Sequence, residues 1–124
     1  MIVDAGFLVS VDRDERAAQE FLAAALRRGI ALHTTHPVVA QVWRNGRRQA
    51  RLARLLRSTD VHPFDNGPEV GALLARSQTT DVVDAQLVIL ALRLADSILT
   101  GNVDDLGAIV ATITSNRPIV YRWP

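Results

Sequence analysis

The chain has 124 residues, 48% of them hydrophobic and 22% charged, with a net charge of +1 and no cysteine. That length supports a real core in one domain over residues 1–124. The composition excludes disulfides, thiolate metal sites and a polycationic molecule, and no window reaches the roughly 18 uncharged apolar residues of a membrane span.

The opening, "MIVDAGFLVSVDRDERA", carries an acid at position 4 and no basic leader, so no signal peptide is expected and the cytoplasm is the expected location. "MIV" reads as a short buried strand ending in Asp4, and "AGFLVSV" as a short helix. "DRDERAAQEFLAAALRRG" predicts a helix with an acidic first turn, Arg27 and Arg28 in its last turn, and Gly29 as its stop. "IALHTT" is a strand. "THPVVAQVWRNG" starts a helix capped by Thr35 or His36, with Pro37 in its first turn and Gly46 as a breaker. "RRQARLARLLRS" continues it or forms a second helix. "DVHPF" is a strand shortened by Pro63, and "DNGPEVGALLARS" a helix with Pro68 near its start. Thr79 or Thr80 can cap a long apolar helix over 81–95. "SILT" is a strand, "NVDDLGAIVATI" a short helix and "PIVYRW" a last strand.

Short apolar strands alternating with helices predict an α/β fold in three α/β/α layers around a short, mostly parallel sheet. In such folds ligands sit beyond the C-terminal ends of the strands. Acids gather at those ends: Asp4 after the first strand, Asp81 and Asp84 at the mouth of the long apolar helix, Asp104 and Asp105 after "SILT". Asp81 and Asp84, three apart, share a helix face. A helix N-terminus helps one carboxylate by about 0.3–1 kcal/mol, too little to offset several like charges in one cleft. A hard divalent cation, Mg²⁺ or Mn²⁺, does so through carboxylate and water ligands. Without an ion, at least one of the two helix-mouth aspartates is expected to titrate with a raised pKa. Taken singly, each acid also reads as an ordinary turn or first-turn residue; their conjunction favours the metal reading.

Every basic residue is arginine. Six fall in "RNGRRQARLARLLR", residues 44–57, with no acid among them. On a continuous helix Arg47, Arg51 and Arg54 form one stripe, with Arg44 and Arg48 beside it. Such a run suits phosphate contact or an acidic partner, since guanidinium binds both bidentately; a plain solvated face is the alternative. His33, His36 and His62 show no metal spacing with one another. Trp43 reads as core or interface, Trp123 as a clamp on the last strand.

Across essentially the whole chain, "MIVDAGFLVS", "HPVVAQVWR", "DVVDAQLVILAL" and "ILTGNVDDL" together resemble PIN-domain ribonucleases, in particular the VapC-like toxins of toxin–antitoxin modules. The resemblance implies a Mg²⁺- or Mn²⁺-dependent endoribonuclease, inhibited by a VapB-like antitoxin and acting as a homodimer. It implies metal ligation by Asp4, Asp84 and Asp105, catalytic roles for these and for Asp81, and a site lined by Thr100, with Asp104 as neighbour. Arg44, Arg47, Arg48, Arg51 and Arg54 would meet RNA or the antitoxin. This chain departs from the pattern at Gln41, where relatives carry glutamate, and at Asn102, where they often carry aspartate. Both are neutral, so metal affinity is expected to fall. Two functions follow: a metal-dependent ribonuclease, or a weakened PIN domain that holds RNA or a protein without efficient cleavage. A phosphoryl-accepting signalling site is disfavoured because the chain has no lysine.

Overall fold

A computed structural model describes residues 1–124. Five strands, β1 (Ile2–Val3), β2 (His33–Thr35), β3 (Asp60–His62), β4 (Ile98–Thr100) and β5 (Val120–Arg122), form one sheet in the order β3-β2-β1-β4-β5. All four pairings are parallel. Parallel neighbours need crossovers, and the helices supply them. On one side α1 (Ala5–Asp12) packs against α2 (Arg16–Arg28), α3 (His36–Val42) and α4 (Ala50–Arg57); on the other α5 (Gly67–Ser77), α6 (Val82–Leu94) and α7 (Val103–Val110) pack on one another. The result is a three-layer α/β/α fold with a wholly parallel sheet.

The first crossovers step away from β1 toward β3, and the chain then returns to place β4 on the other side of β1. The strand order therefore reverses between β1 and β4, and a crevice opens above their C-terminal ends. The core that fixes this geometry holds fully buried Ile2, Phe7, Leu8, Leu87 and Ile98. Helix α6 buries residues Asp84 to Ala91 without a break, which explains its lack of a polar face. Phe7, Phe21 and Trp123 meet edge to face, with ring centroids 5.0–5.8 Å apart. The Trp123 indole N–H donates to Ser10 Oγ at 3.0 Å, so Trp123 clamps the last strand to α1 as expected. No helix is long and apolar enough to cross a membrane.

Several element ends differ from the sequence reading. The first turn of α2 holds no acid, because Asp14 turns the chain at φ 57° and the helix begins only after Glu15. Thr35, not His36, caps α3: its Oγ1 accepts the Val38 N–H at 3.3 Å. Helix α3 stops at Trp43, whose backbone is extended, and α4 starts only at Ala50. Buried Gln49 staples the loop between them. Its Oε1 accepts the N–H groups of Arg44 and Asn45 at 2.7 and 2.9 Å, and its Nε2 donates to the Val42 carbonyl at 2.9 Å. Arg44, Arg47 and Arg48 lie in that loop, so the five arginines do not form one helical stripe. Trp43 is 37% exposed and stands outside the core.

The cap of α6 is Asp81 rather than a threonine. Its Oδ1 accepts the Asp84 N–H at 3.0 Å, while Thr79 turns to Ser77 Oγ at 2.8 Å. At its other end α6 closes on Ala95 with φ 50° and ψ 48°, a left-handed position that glycine occupies at lower cost. Ala95→Gly is expected to raise stability by about 1 kcal/mol, read as a higher denaturant midpoint at unchanged m-value.

Candidate active site

The crevice at the strand reversal is acidic, and one hydrogen-bonded chain organises its floor. Asp4 follows β1 and caps α1: its Oδ1 accepts the Ala5 N–H at 2.7 Å. Its Oδ2 accepts the hydroxyl of Thr100, the last residue of β4, at 2.7 Å. Thr100 Oγ1 in turn accepts the Asn102 N–H at 2.9 Å. The Asn102 side-chain amide donates to Asp105 Oδ2 at 2.8 Å. Two carboxylates are thus oriented by neutral donors, and Asn102 does what an aspartate there could not, since a carboxylate has no N–H to give.

Asp84 projects into the same region from the first turn of α6. It is buried, only 6% exposed, yet its carboxylate accepts no hydrogen bond from the chain. Burial first, then the charges of Asp81, Asp4 and Asp105, push its pKa up to about 7. Asp81, exposed, spends one oxygen on the helix cap and keeps the other free. Asp4, Asp81 and Asp84 line a cavity of about 300 Å³ together with Gln41 and Asn102. A second cavity of about 250 Å³ lies between Asp81, Asp84 and Asp105. Asp81 and Asp84 are the wall that the two share.

Most residues singled out in the sequence therefore meet here: Asp4, Gln41, Asp81, Asp84, Thr100, Asn102 and Asp105. Asp104 does not. It is exposed, lines neither cavity and makes no side-chain hydrogen bond. The arginines do not line either cavity. Arg44 donates to the carbonyls of Ala40 and Trp43, and Arg51 to that of Asp12, so both cap helix ends. Arg51 and Arg54 face a separate groove of about 300 Å³ beside Asp14 and Glu15. Sequence reasoning passed over Gly6 and Gly101, which also line the acidic cavity and where an added Cβ would come against Trp123. The signal was Gly101 directly after β4 and Gly6 in the first turn of α1, two residues beyond Asp4.

A hard cation fits the chemistry of this donor set, which is carboxylate and amide oxygen with no sulfur or imidazole. Asp84, buried and without a donor, is the group that such an ion would satisfy. As the side chains stand, no three acids or histidines are gathered closely enough to hold one ion. Binding therefore requires the carboxylates to draw together.

No family model matches the sequence, and no curated protein matches it. Among solved structures the chain is similar to one from VapBC2 of Rickettsia felis bound to a DNA fragment from its promoter, with 13% identity and a TM-score of 0.73. The match covers 99% of this chain and 98% of that one. A likeness at that identity shows the fold, which is PIN-like.

The raised pKa of Asp84 has a definite sign in folding. In the unfolded chain its carboxyl ionises near 4, whereas in the fold it keeps its proton to about 7. The stability tied to that proton is full below pH 4 and is lost as pH rises to 7. In chelator, Asp84→Asn is expected to exceed the wild type by about 2 kcal/mol at pH 8, allowing for water in the open cavity, and by about a third of that at pH 5. Urea melts at the two pH values check this.

Proposed function

We propose that this protein is a metal-dependent endoribonuclease of the VapC-like kind, a cytoplasmic homodimer restrained by a VapB-like antitoxin. One observation carries the reading: a buried carboxylate, Asp84, stands without a donor among three like charges, in the crevice where strand order reverses. Asp4, Asp84 and Asp105 would hold Mg²⁺ or Mn²⁺. A bound ion of that type lowers the pKa of water and offsets charge on a phosphodiester.

The chain's own residues do the rest. Thr100 fixes the direction of Asp4, and Asn102 fixes that of Asp105. Asp81, at the mouth with one free oxygen, accepts a hydrogen bond from the attacking water and then its proton. Hydrolysis joins the water oxygen to phosphorus and breaks one ester bond, whose oxygen leaves with a proton. None of the six arginines of residues 44–57 is in an ion pair. Arg47, Arg48, Arg54 and Arg57 also make no side-chain hydrogen bond within the chain, unlike Arg44 and Arg51. These four are the arginines available to RNA phosphates or to carboxylates of an antitoxin. Likeness to the Rickettsia felis VapBC2 structure supports an antitoxin partner.

Purified protein with Mg²⁺ or Mn²⁺ is expected to cut RNA, and Asp4→Asn and Asp84→Asn to cut at least about 100-fold more slowly. Equal cleavage by wild type and both variants would remove the assigned site.

Gln41 favours a second reading, a weakened PIN domain that binds without efficient cleavage. It lines the cavity, but its amide is neutral and cannot act as a base. Gln41→Glu adds a carboxylate to that wall. It is expected to lower the Mg²⁺ or Mn²⁺ concentration for half-maximal cleavage by about tenfold, an outcome on the scale of one added ligand charge. Wild-type protein that binds RNA in a salt-sensitive, metal-independent way, with no product until Gln41→Glu is made, would establish the weakened reading.

A further inference from the structure

Two histidines that the sequence leaves 29 residues apart meet across the edge of the sheet. The parallel register sets His33 beside Asp60 and Thr35 beside His62. His33 Nδ1 lies 3.0 Å from His62 Nε2, with the rings tilted by 37° and their centroids 5.3 Å apart. Asp60 Oδ2 lies 3.6 Å from the same His33 nitrogen. None of the three lines the acidic cavities.

We propose that His33 and His62 form the nitrogen pair of a second metal site, completed only when the exposed Asp60 side chain turns toward them, that takes a borderline divalent transition ion such as Zn²⁺, Co²⁺ or Ni²⁺. The proposal is independent of the ribonuclease reading. An ion about 2.0–2.1 Å from each of two imidazole nitrogens holds them roughly 3.0–3.4 Å apart, which is the separation already present. The ligand type argues against the hard ion of the acidic crevice, because imidazole suits Zn²⁺, Co²⁺ and Ni²⁺ while Mg²⁺ seeks oxygen. As they stand the two ring nitrogens share a hydrogen bond, whose hydrogen an ion would displace, and the third ligand is on a side chain free to turn, since Asp60 is 73% exposed.

The surroundings supply a second indication. His62 also lines a small cavity of about 70 Å³ with Asp65, Asn66 and Gln86. In that wall Asn66 Oδ1 and Gln86 Oε1 are buried with no partner. Gln86 is only 3% exposed, and its amide N–H group is committed to the Pro63 carbonyl at 3.0 Å. Orphan acceptors of this kind suit metal-bound waters, whose hydrogens need acceptors in the outer shell.

The test uses full-length protein stripped with chelator and titrated with Co²⁺ alone, followed by visible absorption and by displacement with Zn²⁺. The wild type is expected to develop the bands of nitrogen-ligated Co²⁺. Asp84→Asn should keep them, and His62→Gln should lose at least about tenfold in affinity. In parallel, the imidazole NMR signals of His33 and His62 in the wild type should move together on adding Zn²⁺, which keeps the test open if His62→Gln fails to fold. Bands lost in Asp84→Asn but kept in His62→Gln, a Zn²⁺ shift confined to His36, or no Co²⁺ binding at all would each overturn the site.

Discussion

The carboxylate of Asp4 is the point on which the molecule turns. One oxygen caps the first helix and the other takes the hydroxyl of Thr100 from the neighbouring central strand. That pair of bonds sets the direction of α1 and ties β1 to β4 at the level where the crevice opens. The same carboxylate is then an acid of the cavity. A side chain that holds the fold and also faces the site cannot drift, so its charge has a fixed place. The other acids are arranged around it: Asp105 through the Asn102 relay, Asp84 through the buried α6, and Asp81 through the cap of that helix.

Fixing like charges in one place costs stability, and the structure shows where the cost falls. Asp4 and Asp105 receive donors and are partly compensated. Asp84 receives none, and burial together with its like-charged neighbours pushes its pKa up to about 7. The uneven distribution separates carboxylates that are held from one that is left in need, and the need is electrostatic rather than steric. Gln41 and Asn102 fit this pattern. As neutral groups on the same cavity they limit the repulsion, and Asn102 uses its amide to hold an acid in place.

The alternation of strands and helices, and hence the layered fold, was legible because it is written in local periodicity and in caps. Element ends were less so. The start of α4 depends on Gln49 folding back on a loop, and the start of α6 on a choice between Asp81 and two threonines. Neighbouring side chains settled both. The acids were legible as a set because each follows a strand or opens a helix. Asp104 and Asp105 could not be told apart by composition, since one step of about 100° along α7 turns one toward Asn102 and the other to solvent. The role of Thr100 as donor to Asp4 was hidden, because it needs the two strands to be neighbours. The same is true of His33 and His62, whose meeting is a matter of register between two strands. The arginine run was read as one surface, yet part of it is spent on backbone carbonyls at helix ends.

The hydrogen bond from Thr100 to Asp4 joins residues 96 apart in the chain. Closing so long a loop is entropically slow, and a central strand paired on both sides belongs to the nonlocal part of the topology. The acidic cavity therefore exists only where β1 and β4 are paired, and a fragment lacking either strand does not contain it. The aspartates exist from the moment they are translated, but the site is a property of the finished sheet. Anything that parts those two strands abolishes it at a stroke while leaving every acid intact.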